Sequence, residues 1–153
     1  MNRRNVKRGF TLMEVLLVIV ILLMLGTVGV VSYSKIREDS QKKTTLILVN
    51  DLDGAVNRYA LAVGTYPTDD EGLGALFTRP DEEARGKAWD SGGPFITGGK
   101  IPQDAWHHPL AYKRVDDATA SRTALYFHIY SIGPNGTDDN GTGDDIPAWA
   151  EGT

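Results

Sequence analysis

The sequence of 153 residues contains no cysteine, so neither a disulfide nor a thiolate metal site can hold its fold together. Histidine is scarce as well, with only His107, His108 and His128. Adjacent histidines in a turn cannot easily face one ion, and His128 alternates with apolar residues, so no zinc site is expected. No serine stands in a nucleophile-elbow pattern, and no glycine-rich phosphate loop follows a strand candidate. Catalysis therefore finds little support. Positive charge is thin beyond residue 31: four of the 16 Lys and Arg precede it, leaving 12 against 19 Asp and Glu and a net of −7. That balance argues against nucleic-acid binding, which depends on clustered Lys and Arg.

What the chain does have is one long apolar run. From Phe10 to Val31 there are 22 residues with a single charge, Glu14. As a helix, this run is long enough to cross a hydrocarbon core of about 30 Å. A carboxylate in lipid costs roughly 2.5–3.5 kcal/mol, so Glu14 should have a partner or a purpose. Arg3, Arg4, Lys7 and Arg8 precede the run without an acid among them, which puts the N-terminus on the cytoplasmic side. An ordinary signal peptide carries its small-residue cleavage site after an apolar stretch of about 7–15 residues. Here the small residue flanked by positive charge is Gly9, before the run, and cutting after it would leave Phe10 heading an anchored mature chain.

Beyond the anchor, Ser32 to Val63 contains no proline and only Gly54 as a breaker. Leu48, Leu52, Ala55, Tyr59 and Ala62 follow one helical face, while the polar section around Arg37–Lys43 reads as solvated or intersubunit surface. One long helix is expected, ending at Gly64 ahead of Pro67. Thr68 and Glu71 form a capping-box pattern opening a short helix that carries Leu73, Leu76 and Phe77 before Pro80. Asp81 to Gln103 reads as loop, anchored by Trp89, Phe95 and Ile96. Leu110–Val115 and Ala124–Ser131 read as strands of an antiparallel hairpin, joined through Asp116–Thr123. In the second strand Leu125, Phe127 and Ile129 are expected to face the long helix, with Tyr126, His128 and Tyr130 on the other side.

The tail from Ile132 is rich in Gly, Asp, Asn and Thr and closes on Ile146 and Trp149. It holds Asn135, Asp138, Asp139, Asn140, Asp144 and Asp145, and four aspartates so close repel one another unless a cation or solvent intervenes. Interspersed glycines let such a loop curl until oxygens converge on a hard ion such as calcium. The spacing is not that of an EF-hand, since no glutamate stands at the twelfth position.

Gly9, Phe10, Thr11, Leu12 and Glu14 ahead of an apolar helix resemble the class III signal of type IV pilins and type II secretion pseudopilins. Three further groups are similar to the type II secretion major pseudopilins. The first is Tyr59, Gly64, Tyr66-Pro67-Thr68, Gly72-Leu73 and Ala75-Leu76. The second is Gly93-Pro94-Phe95, Pro102, Asp104, Trp106, Pro109 and Tyr112. The third, Ser131, Gly133, Gly136, Asp145-Ile146 and Trp149, matches the family's C-terminal calcium loop. Asn135 stands where the family usually has Asp, Val31 where it has Pro, and Ala105, His107 and Leu110 where it has Pro, Gly and an aromatic residue.

The resemblance implies an α+β, pilin-like fold: a long N-terminal helix, its first half transmembrane, packed on a small antiparallel sheet with an acidic calcium-type loop. It divides the chain into a cleaved leader (1–9), an assembly helix (10–31) and a periplasmic domain (32–153). Prepilin peptidase would cleave between Gly9 and Phe10 and methylate Phe10, and Glu14 would pair with the amine of a neighbouring subunit. Calcium would be held by Asn135, Asp138, Asp144 and Asp145 with backbone oxygens of Ile132 and Thr137; Asp139 and Asn140 are weaker candidates. The product would be a homopolymeric filament in the periplasm, rooted in the inner membrane and working with minor pseudopilins and an inner-membrane secretion platform. Two other readings stand beside it: a type IV pilin or minor pseudopilin, and a membrane-anchored calcium-binding protein or enzyme acting as a monomer.

Overall fold

The computed structural model describes residues 9–115, 119 and 125–149, with the backbone alone for 26–32. The basic leader, most of the hairpin connection and the last four residues lie outside the described residues. The elements are α1 (Leu12–Val63), a 3₁₀ helix (Gly72–Leu76), α2 (Glu83–Gly92), β1 (Leu110–Arg114), β2 (Phe127–Ser131) and β3 (Ile146–Pro147). The chain forms two compact units, Met1–Asp39 and Ser40–Thr153.

In the first unit α1 begins as its sequence dictates. Thr11 caps it: the amide of Glu14 donates to the Thr11 hydroxyl (3.2 Å) and to its carbonyl (3.1 Å). Glu14 thus occupies the first helical turn, where the positive end of the helix dipole favours a carboxylate. Every described side chain from Phe10 to Leu25 is exposed. Among the described residues no helix is long and apolar enough to cross a membrane. The expected span runs on through residues 26–31, whose side chains lie outside the described set.

In the second unit the core is built on one stripe of α1. Val49, Leu52, Ala55, Val56 and Tyr59 are buried together with Leu73, Leu76, Phe95, Leu110, Phe127 and Ile129. Leu48 and Ala62, expected at its centre, are only partly buried at its edge, while Val49 and Val56 are fully enclosed. The buried stripe is therefore wider than the face of Leu48, Leu52, Ala55, Tyr59 and Ala62 and turned toward Val49 and Val56. Gly64 ends the helix with φ +86, its amide donating to the Ala60 carbonyl at 2.9 Å.

The capping box forms reciprocally. The Thr68 amide donates to Glu71 Oε2 (2.9 Å) and the Glu71 amide to Thr68 Oγ1 (3.3 Å). Arg85 Nη2 then reaches Glu71 Oε2 (2.9 Å) and the hydroxyl of buried Tyr59 (2.7 Å), tying α2 to α1. Its hydrogen bond holds the Glu71 carboxyl below the usual carboxylate range.

That α2 exists corrects the expectation of loop from Asp81 to Gln103. Glycines within a segment ordinarily weaken a helix, yet Gly86 is an interior helical glycine over which Arg79 lies. A Cβ there would meet the Arg79 guanidinium at 2.5 Å. Trp89 fixes the helix by donating to the Ala75 carbonyl at 3.1 Å.

The sheet is antiparallel with order β1-β2-β3. Leu110 faces Ser131, Arg114 faces Phe127, and Tyr130 and Ser131 pair with Pro147 and Ile146. β3 was expected only as an apolar anchor. Pro147 gives no amide to a ladder and accordingly sits on an edge. Phe127 and Ile129 cover α1 as expected, but Tyr130 is buried too, at 1% exposure. The tail folds back over the second face of β2, where Trp149 meets the rings of His128 and Tyr130 edge-on.

Candidate functional site

The acidic loop begins where β2 ends. Gly133 and Gly136, with φ +65 and +68, turn the chain away from the sheet, and Gly141 (φ +80) leaves room for Trp149, whose ring would lie 2.5 Å from a Cβ there. The loop is thus closed by packing at its far end as well as by strand pairing.

Asp139 lies against Gly143, its Oδ2 2.9 Å from where a Cβ there would be, and the other three aspartates are engaged separately. Asp144 is paired with Asn135: its Oδ2 accepts the Asn135 amide at 3.1 Å, and its Oδ1 accepts the Asn135 side-chain Nδ2. Asp145 is 8% exposed, and its Oδ2 accepts the amides of Asp139 (3.0 Å) and Gly141 (2.8 Å). Asp138 turns toward the sheet, its Oδ1 accepting the Asn140 amide and the Tyr130 hydroxyl, both at 2.9 Å. These donors, with Lys113 nearby, hold the Asp138 carboxyl below the usual range. Lys113 itself lies 3.7 Å from Asp138 Oδ2 and donates to Asn140 Oδ1 at 2.6 Å.

Of the expected ligands, then, Asn135 and Asp144 are brought together, Asp145 is held separately by the Asp139 and Gly141 amides, and Asp138 is engaged with β1 and β2. Ile132 is half-buried at the end of β2 and Thr137 is exposed. Among the described residues no three acidic or histidine side chains gather closely enough to hold a metal ion. One atom nevertheless fits a cation. Asp145 Oδ1 is buried without a hydrogen-bond partner, and such an oxygen is costly unless a donor or an ion meets it. The donor set is all oxygen, which suits calcium rather than zinc.

The sequence reading missed the clamp that holds this loop from outside. Asp104 is 4% exposed; its Oδ1 accepts the amides of Trp106 (2.9 Å) and His108 (2.7 Å), and its Oδ2 accepts the hydroxyl of buried Ser131 at 2.6 Å. The same turn docks on α1, where Gln41 Nε2 donates to the Ala105 carbonyl (3.1 Å) and Thr45 Oγ1 accepts the Ala105 amide (3.2 Å). His107 within it has φ +69, in the left-handed region that favours glycine. A polar residue flanked by turn formers was the available signal for Asp104; its partner lies 27 residues away.

At the other end of the chain, Gly9 and Phe10 are exposed and Phe10 precedes the Thr11 cap directly. Residues 4–30 match the prokaryotic N-terminal methylation motif, which sets the class of chain to which this one is similar. Residues 33–149 match the model of type II secretion system protein G, and the chain belongs to that family. It is 32% identical over 152 residues to the type II secretion system core protein G of Klebsiella pneumoniae, covering 95% of this chain and 96% of the relative. The core protein G of Aeromonas hydrophila is 34% identical over 151 residues (97% of this chain and 96% of the relative). Among solved structures, the major pseudopilin of the type 2 secretion system of enterohaemorrhagic Escherichia coli shares the fold. Its TM-score is 0.59 at 23% identity, over 77% of this chain and 94% of that one.

Proposed function

We propose that this chain is the major structural subunit of the periplasmic pseudopilus of a type II secretion system, driving export of folded proteins across the outer membrane, and not an enzyme. The observation that carries this reading is the exposed apolar start of α1. Phe10, Leu12, Leu16 and Leu25 are 82, 83, 56 and 65% exposed. So large a continuous apolar surface calls for lipid or other helices to cover it. Its sequence from Phe10 to Val31, 22 residues long, would span about 33 Å as a helix, which suits a single pass through the inner membrane. In the filament the same surface would pack against other copies. Prepilin peptidase, minor pseudopilins and the inner-membrane platform are the partners this role requires. The test is removal of residues 1–31: the domain from Ser32 should reach the periplasm under a conventional signal yet restore no secretion to a strain lacking the subunit. Restored secretion would make the monomeric reading correct.

The acidic loop is read as a site for one calcium ion, with Asp138, Asp144, Asp145, the side chain of Asn135 and the backbone oxygens of Ile132 and Thr137 as ligands. Support comes from the orphan Oδ1 of Asp145 and from the crowding of four aspartates between glycines. Calcium would neutralise those charges and cross-link the loop. Outward-facing modules often bind at about 10⁻⁴–10⁻³ M. At tenfold excess over Kd, binding to the folded state adds about 1.4 kcal/mol, which for a domain of this size raises Tm by about 5 °C. Asp145→Ala in the full chain in detergent should remove most of that shift, and Asp81→Ala, exposed ahead of α2, should leave it. Equal melting of the unaltered chain in calcium and in chelator would refute the site.

A further inference from the structure

We propose that Asp104 and His108, which lie outside the acidic loop, are positioning residues that set its cation affinity by gripping the Gly133 peptide at both of its ends; this rests on the calcium reading above. The Gly133 amide donates to Ser131 Oγ at 3.1 Å, and that hydroxyl in turn donates to Asp104 Oδ2 at 2.6 Å. The Gly133 carbonyl lies 2.9 Å from His108 Nδ1. A carbonyl only accepts, so Nδ1 carries the proton in this contact. Asp104 orders His108 as well, because its Oδ1 accepts the His108 amide at 2.7 Å. One buried carboxylate therefore fixes both groups that hold Gly133.

Holding Gly133 holds the ligands. A Cβ on Gly133 would stand 2.3 Å from the Asp144 carbonyl oxygen and 3.0 Å from Asp144 Oδ2, so the two backbones are in direct contact. The His108 ring also fills the inside of the turn, with Cε1 and Nε2 3.2 Å from where a Cβ on Gly136 would be. Between these two glycines lies Asn135, paired with Asp144. A rigid turn at 133–136 presents Asn135 and Asp144 already aligned, whereas a free one must be ordered when the cation binds, at the expense of affinity. The turn that carries Asp104 and His108 is itself fastened to α1 through Gln41 and Thr45. The loop is thus referenced to the long helix, 60 residues or more away in the chain.

The test uses the full chain in detergent micelles, with calcium Kd from titration calorimetry and Tm measured in chelator. Outer partners of metal ligands typically contribute about 10–100-fold in affinity, and His108→Ala is expected to weaken calcium at the low end of that range, about tenfold. The His108 side chain is 31% exposed, so its loss should move the chelator Tm little. His108→Gln keeps an N–H within reach of the Gly133 carbonyl and should recover most of the affinity. His107→Asn, at the neighbouring position of positive φ, should behave as the unaltered chain. Ser131→Ala should weaken calcium as His108→Ala does and also lower the chelator Tm, since it strips a donor from buried Asp104. If His108→Ala binds calcium within twofold of the unaltered chain, or if only the chelator Tm falls, the clamp is structural alone and the proposal is overturned while the calcium site stands. If the unaltered chain binds no calcium, both readings fall together.

Discussion

Glu14→Leu is expected to abolish filament assembly while improving membrane retention of the subunit. Leucine in place of a carboxylate near the membrane removes a cost of roughly 2.5–3.5 kcal/mol, so the anchor itself becomes more secure. What is lost lies between subunits. In the filament the Glu14 carboxylate would meet the ammonium group of Phe10 on a neighbouring copy, and that pair would fix the axial register. Removing one partner of a buried pair leaves the other uncompensated, at about 3–5 kcal/mol, which exceeds a hundredfold in association. The structure supplies a rival, purely local role: Thr11 caps α1 by accepting the Glu14 amide, and Glu14 stands at the first-turn position from which a Glu or Gln side chain can return that bond. Glutamine serves that local role equally well but carries no charge. Glu14→Gln should therefore fail to polymerise, as Glu14→Leu does, when sheared filaments are quantified from a strain overproducing the subunit. Filaments from Glu14→Gln at the unaltered level would assign Glu14 to the helix cap and refute the register role.

The parts of this fold that were legible in the sequence are those in which neighbours along the chain decide the outcome. Thr68 and Glu71 satisfy each other's amides within four residues, Gly64 ends α1 by its own φ, and Phe127 and Ile129 alternate on one strand. The parts that were not legible depend on distant partners. α2 carries Gly86 because Arg79 must lie across it, and glycine read alone signals a break. Tyr130 looked like the wet face of β2 until the tail, returning through Trp149, covered it. The site divides in the same way. Composition announced an acidic, glycine-rich loop closed by Ile146 and Trp149, but the assignment of each carboxylate to separate donors depends on side-chain geometry. Asp104 and His108 gave no sign of serving the loop, since their contacts to Ser131 and Gly133 span 27 and 25 residues.

The chain with Gly9→Val is expected to fold as the unaltered chain does and to remain uncleaved. Gly9 is exposed, and a Cβ built on it meets nothing within 4 Å. The fold therefore imposes no requirement for glycine at this position, and a valine side chain would project into open space. Any effect must then arise where another protein reads the segment. A peptidase that cuts between Gly9 and Phe10 has to bring its catalytic groups against that peptide bond, and a β-branched side chain beside the bond obstructs the approach and stiffens the backbone. Glycine there also keeps the segment free to adopt the extended form that a protease cleft demands. If cleavage makes Phe10 the N-terminal residue, uncleaved Gly9→Val subunits would bury no free amine for Glu14 to meet, so loss of processing should carry loss of filaments with it. Intact mass of the membrane-extracted protein reads the outcome directly. The unaltered chain should begin at Phe10 and carry one added methyl group, whereas Gly9→Val should retain residues 1–9 and no methyl. A mature chain beginning downstream of Val31, or normal trimming of Gly9→Val, would refute the assignment of the cleavage site.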